Sequence, residues 1–378
     1  MEQMYFKKYL KLFIKLIVIS VLVTIFILFL ILKTNSDICE WWTTHFVSGY
    51  LNVFGHITKW IPFSLTEIVM IGVIVLSIVF LVFCLIYIFK KKYSRSLHFA
   101  LNLSLVLFSV LTLYQLTAEM AYNRHRPDIK LYEKQVEKTE FRSIIEYYIN
   151  DLNECCDHLE FDENGNLIEP MSHQELNAKL EEEYSKYPSE YLLYFTTSTK
   201  PMVTSFMYRE FHITGITFMP TAEANVNYLN VSSGKPFTYA HELAHSKGAM
   251  REEDADLIAA YIMLHSDSYY LRYSGYYYTI GSLLYLADYT GVETDKAELY
   301  AMINDKFFAN NRYCRDYWNN HNSWASFANW WNNLYLKFSG ESEGTDSYGD
   351  DDPTIDPSSK EITNFSTYQK LYFAIYYA

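Results

Sequence analysis

Three long apolar runs dominate the first third of the chain. Leu16–Leu32 is uncharged over 17 residues, and Lys15 at its edge can snorkel to lengthen it. Ile68–Phe89 is uncharged over 22 residues, and Leu97–Thr117 spans 21 with His98, Asn102 and Gln115 inside it. A helix needs about 20 apolar residues to cross a bilayer core. The pattern therefore predicts membrane-spanning helices over residues 12–32, 68–89 and 97–117. A buried core helix is the alternative for the third. Between the first two, residues 41–63 mix Trp41, Trp42, Phe46, Tyr50, Phe54 and Trp60 with polar positions, as expected of a segment resting at a membrane interface. The first run follows Lys7, Lys8, Lys11 and Lys15 in the manner of a signal peptide. It is too long for a typical signal core and no small-x-small site follows, which predicts an uncleaved anchor.

Beyond Thr117 the pattern shortens. Phe141–Leu159 has helical apolar spacing (Ile144, Ile145, Tyr148, Leu152), and His173–Tyr187 reads as a charged helix. Leu192–Thr197, Ile213–Phe218 and Asn225–Val231 read as short strands. Helices are then expected over Pro236–Lys247, with Gly248 as the stop, and over Arg251–Leu264, Tyr276–Tyr289, Lys296–Phe307 and Ser323–Phe338. Ser339–Lys360 is rich in Gly, Ser, Asp and Pro and should be a loop. Its Asp350-Asp351-Asp352 lacks the ligand spacing of a calcium loop and reads as solvated. The expected fold is three N-terminal transmembrane helices (residues 1–117) followed by an α+β, mostly helical domain (residues 118–378).

Charge adds an orientation. The N-terminus and the loop Lys90–Arg95 are basic, so both should face the cytoplasm, and three spans then place the C-terminal domain outside. Residues 1–117 carry 10 basic and 4 acidic side chains, leaving 21 basic and 40 acidic for the remainder. So acidic a body repels phosphate backbones, and nucleic acid is not an expected partner. Aromatic residues make up 18% of the chain, which argues against disorder. The five cysteines form no zinc-type cluster. Unpaired thiols are expected; a disulfide from Cys155 or Cys156 to Cys314 is the alternative.

The chemistry lies in His241-Glu242-Leu243-Ala244-His245. On a helix, residues i and i+4 share a face, so His241 and His245 can present imidazoles to one Zn²⁺ ion while Glu242 sits beside a zinc-polarised water as general base. Zinc lowers the pKa of that water from about 16 to about 7. Tyr239, Ala240, Leu243 and Ala244 are uncharged, as suits a buried helix; a surface helix with two unrelated histidines is the bland alternative. A third ligand is needed, and Glu252, Glu253, Asp254 and Asp256 are the candidates. If a helix starts near Arg251, Glu252, Ala255, Asp256 and Ala259 share one face. That phase favours Glu252 as ligand, with Asp256 behind it bonding a ligand histidine. The acidic cluster also suits a helix N-terminus without any metal.

The chain resembles a family of bacterial membrane proteins classed as domain of unknown function 3810, regarded as zincin-like. The resemblance rests on Ile61-Pro62-Phe63-Ser64-Leu65-Thr66-Glu67, Tyr122-Asn123-Arg124, Ala222-Glu223-Ala224-Asn225-Val226-Asn227, Pro236–Ala260 and Tyr273-Ser274-Gly275. The family pattern ends in Glu-x-x-Ala-Asn where this chain reads Glu252-Glu253-Asp254-Ala255-Asp256. The final Asp is similar to the Glu-x-x-Ala-Asp element of integral-membrane zinc peptidases, in which the Glu is the third ligand. Only six residues separate His245 from Glu252, fewer than in most such enzymes, and Arg251 stands where metzincins have a third His. The resemblance implies a zinc hydrolase. It also implies a strand at the cleft edge, for which Asn225–Val231 is the candidate, with Glu223 and Asn225 either lining the site or forming a structural turn. Tyr273, Tyr276 and His321 are candidates for the oxyanion stabiliser. The expected function is a membrane-anchored zinc metallopeptidase acting on a peptide or protein substrate, or a related amide, outside the cytoplasm. The alternatives are a non-catalytic zinc-fold sensor or binding protein of the cell envelope and a structural envelope protein without metal.

Overall fold

The computed structural model describes residues 2–187, 189–193, 197–339, 344–348, 351–356 and 361–378. The chain forms two compact units, Met1–His125 with Phe218–Glu223, and Arg126–Thr217 with Ala224–Ala378.

The first unit contains α1 (Glu2–Leu32), α2 (Ser36–Trp42), α3 (Ser48–Lys59), α4 (Leu65–Phe89) and α5 (Tyr93–Thr117). Three stretches are long and apolar enough to cross a membrane: Tyr9–Leu32, Leu65–Phe89 and Tyr93–Thr117, of 24, 25 and 25 residues. At about 1.5 Å per residue, 25 residues reach about 37 Å, more than a hydrocarbon core. α5 packs against both α1 and α4. Little of α4 or α5 is buried within the protein, and Ile71, Ile74, Ile78 and Leu85 of α4 stand exposed. A helix apolar all round needs an apolar surrounding, which lipid supplies. The aromatic segment after α1 is helical as far as Lys59, with a π turn at Thr43–Val47 joining α2 to α3. Trp42 fixes it: its ring meets Phe29 edge-on at 4.7 Å and its Nε1 donates to Leu116 O at 2.8 Å. Arg124, fully buried, donates through Nε and Nη2 to the two Glu40 oxygens at 3.0 and 2.6 Å. The short turn Met219–Thr221 belongs to this unit as well. Beside it, Glu223 accepts from Thr66 N and Oγ1 at 2.8 and 2.9 Å, at the start of α4.

The second unit opens with α6 (Lys138–His158) and α7 (His173–Lys186). The strands β1 (Thr199–Pro201), β2 (Gly215–Phe218) and β3 (Glu223–Val226) follow, with α8 (Ser205–Glu210) between the first two. They form one sheet in the order β1-β3-β2, β1 parallel to β3 with Thr199 opposite Ala224. Two strand expectations need correction. β3 ends at Val226, and Asn227 Oδ1 accepts from Leu229 N at 3.0 Å, turning the chain where an alternating pattern suggested continued strand. β3 is also the central strand, so Asn225–Val231 is not a sheet edge; β2 is. Leu192, Leu193 and Thr197 are not in a strand, and residues 194–196 of that expected element lie outside the described residues.

The helices after the sheet are α9 (Lys235–Ser246), α10 (Glu252–His265), α11 (Tyr269–Leu284), α12 (Asp295–Met302), α13 (Asp305–Asn319), α14 (Ala325–Ser339) and α15 (Thr367–Tyr376). A small hairpin of β4 (Thr354–Ile355) and β5 (Ile362–Asn364) precedes the last. Every residue of α9 from Pro236 to Ser246 is buried. α9 packs on α10 and α11, and the alanines 240, 244, 255 and 259 of α9 and α10 are fully excluded from solvent. Ser274 Oγ of α11 accepts from Phe237 N at 3.1 Å, satisfying a donor in the first turn of α9. The expected helix Lys296–Phe307 is two helices, because Asn304 caps the second: its Oδ1 accepts from Lys306 N at 3.0 Å. All five cysteines are free thiols.

Candidate metal centre

The helical spacing of α9 sets His241 and His245 side by side, their ring centroids 4.4 Å apart and their planes nearly perpendicular. Both Nε2 atoms face one carboxylate oxygen of α10: Glu252 Oε2 lies 3.2 Å from His241 Nε2 and 3.3 Å from His245 Nε2. The three donor atoms lie within 4.8 Å of one another. Each ring is held from behind. His241 Nδ1 is 2.7 Å from Asp256 Oδ1, and His245 Nδ1 is 2.7 Å from the Ala249 carbonyl. A carbonyl only accepts, so Nδ1 of His245 carries a proton, and Nε2 is the nitrogen turned toward Glu252.

The backbone after α9 delivers that carbonyl. Gly248 has φ of 94°, a left-handed conformation that suits glycine. Ala249 N then bonds to Ala244 O at 3.1 Å, and the Ala249 carbonyl comes to lie on His245. α10 begins three residues later in a phase that sorts its four acids. Glu252 and Asp256 face the histidines. Glu253 pairs with Arg126, and Asp254 accepts from Arg251 Nε at 2.6 Å and Arg126 Nη1 at 3.1 Å.

Glu242 lies on β2. Thr217 Oγ1 is 2.7 Å from Glu242 Oε2 and 2.9 Å from the Glu242 backbone oxygen. A Cβ on Gly215 would overlap the Glu242 carboxylate, so the strand can come this close only with glycine there. Burial raises the Glu242 carboxyl above its ordinary pKa, against the pull of the two histidines. Burial disfavours charge on His241, but Asp256 and Glu252 outweigh it and lift the imidazole well above its usual value. Burial likewise opposes ionisation of Glu252, but the His245 and His241 imidazoles overcome it and hold the carboxyl down at about 2. The acids thus favour protonated imidazoles beside Glu252.

Tyr273, Tyr276 and His321 bond elsewhere. Tyr273 donates to Asn310 Oδ1 at 3.0 Å, Tyr276 to Asp151 Oδ2 at 2.5 Å, and His321 Nδ1 lies 2.9 Å from Glu210. Asn225 Nδ2 donates to Ile216 O at 3.2 Å within the sheet, and Glu223 binds Thr66. Thr217, Gly215 and Ala249 were not foreseen. A glycine inside a strand pattern is the one signal that pointed to a close approach. Tyr348, in the loop before α15, was also missed. Its side chain is 42% exposed, but its hydroxyl end lies among protein groups whose desolvating effect, with the charges of Glu252, Glu242 and Asp256, raises its pKa, and the hydroxyl accepts from Asn332 Nδ2 at 3.1 Å.

The spans and the buried two-histidine, one-carboxylate cluster define a membrane-type helical chain with a candidate cation site. The profile described as "Protein of unknown function (DUF3810)" matches residues 42–350, well over half of the chain, and the chain belongs to that family. No curated protein and no solved structure matches it.

Proposed function

We propose that this protein is a membrane-anchored zinc metallopeptidase whose C-terminal domain works outside the cytoplasm on peptide or related amide bonds. The observation that carries this reading is the convergence of His241 Nε2, His245 Nε2 and Glu252 Oε2 with both Nδ1 atoms already engaged. For a tetrahedral site with metal–ligand arms of 2.0–2.1 Å, donor atoms lie about 3.3–3.4 Å apart. The 3.2 and 3.3 Å separations around Glu252 fit that spacing, and the N/N/O donor set suits Zn²⁺. Bound zinc supplies Lewis acidity and brings the pKa of water toward about 7.

The remaining roles fall to the chain. Asp256 and the Ala249 carbonyl fix the ring orientations. Thr217 holds Glu242 Oε2, leaving Oε1 to take a proton from the attacking water and pass it to the leaving amine. Burial favours the protonated Glu242 that the second half of this transfer needs. β2 lies at an edge of the sheet beside Glu242, where an extended peptide could add as a further strand.

The depth of the cluster favours a second reading, a zinc-fold sensor or binding protein without turnover: His241 is 9%, His245 6% and Glu252 5% exposed. Elemental analysis of the purified full-length protein, with a peptide-library cleavage assay, separates the two. One zinc per chain is expected, lost in His241→Ala and Glu252→Ala and kept in Glu253→Ala. Glu242→Gln should keep zinc and lose cleavage. Zinc without any cleavage selects the sensor reading. Absence of zinc, or its loss in Glu242→Gln, refutes the assignment of roles.

A further inference from the structure

We propose that α14 is a membrane-interface helix that seats an aromatic face in the headgroup region of the bilayer. Trp324, just ahead of the helix, and Phe327, Trp330, Trp331 and Leu334 within it are each between 54% and 59% exposed. At about 100° per residue these five fall within an arc of about 120°. They form one continuous stripe, with no charged residue in it. The opposite side is committed to the protein. Leu336 is fully buried, Asn332 bonds to Tyr348, and Asn333 Oδ1 accepts from Thr345 N at 3.2 Å. The stripe is therefore the outward face of a docked helix.

The start of α14 is pinned to the end of α8. Trp324 N donates to Glu210 O at 2.9 Å and Ser323 Oγ to Glu210 Oε2 at 2.9 Å. α8 contributes exposed apolar residues of its own, Phe206 and Met207, preceded by Val203. Two neighbouring elements thus leave large apolar side chains in the open, and a contiguous stripe such as that of α14 is one a soluble surface seldom tolerates.

A lipid surface fits this patch for two reasons. Trp has an apolar body with a polar N–H and is enriched where hydrocarbon meets water. Lys337, an exposed cation in the last turn of the same helix, is available to a lipid phosphate. The bilayer is also within reach by chain connectivity. Only eight residues lead from Glu210 to Phe218, at most about 29 Å of extended chain. Phe218 stacks on Tyr114, near the end of the span Tyr93–Thr117. A short apolar helix that would bind a membrane weakly by itself is favoured when the same chain already spans that membrane.

The test uses full-length protein in liposomes of phosphatidylcholine and phosphatidylglycerol, with an environment-sensitive fluorophore on Trp330→Cys or on Asn329→Cys, an exposed position on the side of the helix away from the stripe. Protein without an added cysteine, treated identically, gives the labelling blank for the native thiols. The probe at 330 should be quenched by a headgroup-level spin-labelled lipid and resist aqueous iodide about threefold or more better than the probe at 329. Equal iodide quenching at both positions overturns the proposal. So does protection at 330 that is insensitive to spin-labelled lipid, or that disappears at one chain per vesicle; these outcomes mark a protein partner or a second copy. Leu334→Cys repeats the measurement if Trp330→Cys does not fold.

Discussion

The hydrogen atom that serves as the Gly215 side chain lets the Glu242 carboxylate stand against strand β2. Any Cβ at this position displaces the carboxylate or the strand, while the groups around Glu252 lie on α9 and α10 and are untouched. On the proposed function, Gly215→Ala should leave the zinc content near one per chain and lower kcat by about 100-fold, the scale on which an ångström of misplacement acts. Zinc analysis and peptide turnover on the same preparation check this, and full activity in Gly215→Ala would show that Glu242 does not act from the position seen. At this scale the sequence was legible where periodicity carries information. The i, i+4 histidines and the shared face of Glu252 and Asp256 follow from helical phase. The second tie on His245 was not legible, because it is a backbone carbonyl and any residue type offers one. Thr217 and Tyr348 come from distant segments and carry no local signal, and among 35 tyrosines no one stands out.

Elements were legible in proportion to their length. α6, α7, α9 and α10 lie within a few residues of the apolar patterns that foretold them, as do the apolar spans. Short strands fared worse, since three or four residues can be stopped by one side chain, as Asn227 stops β3. The split between α12 and α13 likewise turns on Asn304, whose side chain competes for backbone donors where apolar spacing alone reads as continuous. The end of α9 was foreseen from Gly248, and its structure gives that glycine a second consequence. The left-handed turn both closes the helix and places the Ala249 carbonyl on His245. Gly248→Ala should therefore destabilise the protein by about 1–2 kcal/mol through backbone strain. It should also weaken zinc binding about 10-fold or more, as loss of a group orienting a metal ligand does. Thermal unfolding with and without chelator separates the two effects. A lowered midpoint that is equal in both states would mean that the turn is structural only.

On the scale of the whole molecule, the distribution of charge is the most informative property. Basic residues gather at the N-terminus and at Lys90–Arg95, while acidic residues outnumber basic ones 40 to 21 after residue 117. The loop Lys90–Arg95 joins α4 to α5, two of the three helices long enough to span, and the basic N-terminus precedes the first. Lys and Arg are retained on the cytoplasmic side, so these two segments should share it. An odd number of spans then leaves the chain on the opposite side after Thr117. Acidic residues neither oppose nor set this direction, since the rule counts Lys and Arg alone. The region Asn123–Pro127, with Arg124 and Arg126, argues the other way, as do Lys33 and Lys59 between the first two spans and Lys130 and Lys134 after the third. Its force is reduced in the structure, because Arg124 is buried against Glu40 and Arg126 is paired with Glu253 and Asp254. Alkaline phosphatase, which folds only where disulfides form, should therefore be active when fused after Lys130 and inactive when fused after Lys92. An inactive fusion at Lys130 with an active cytoplasmic reporter at the same site would reverse the orientation and place the histidine cluster inside the cell.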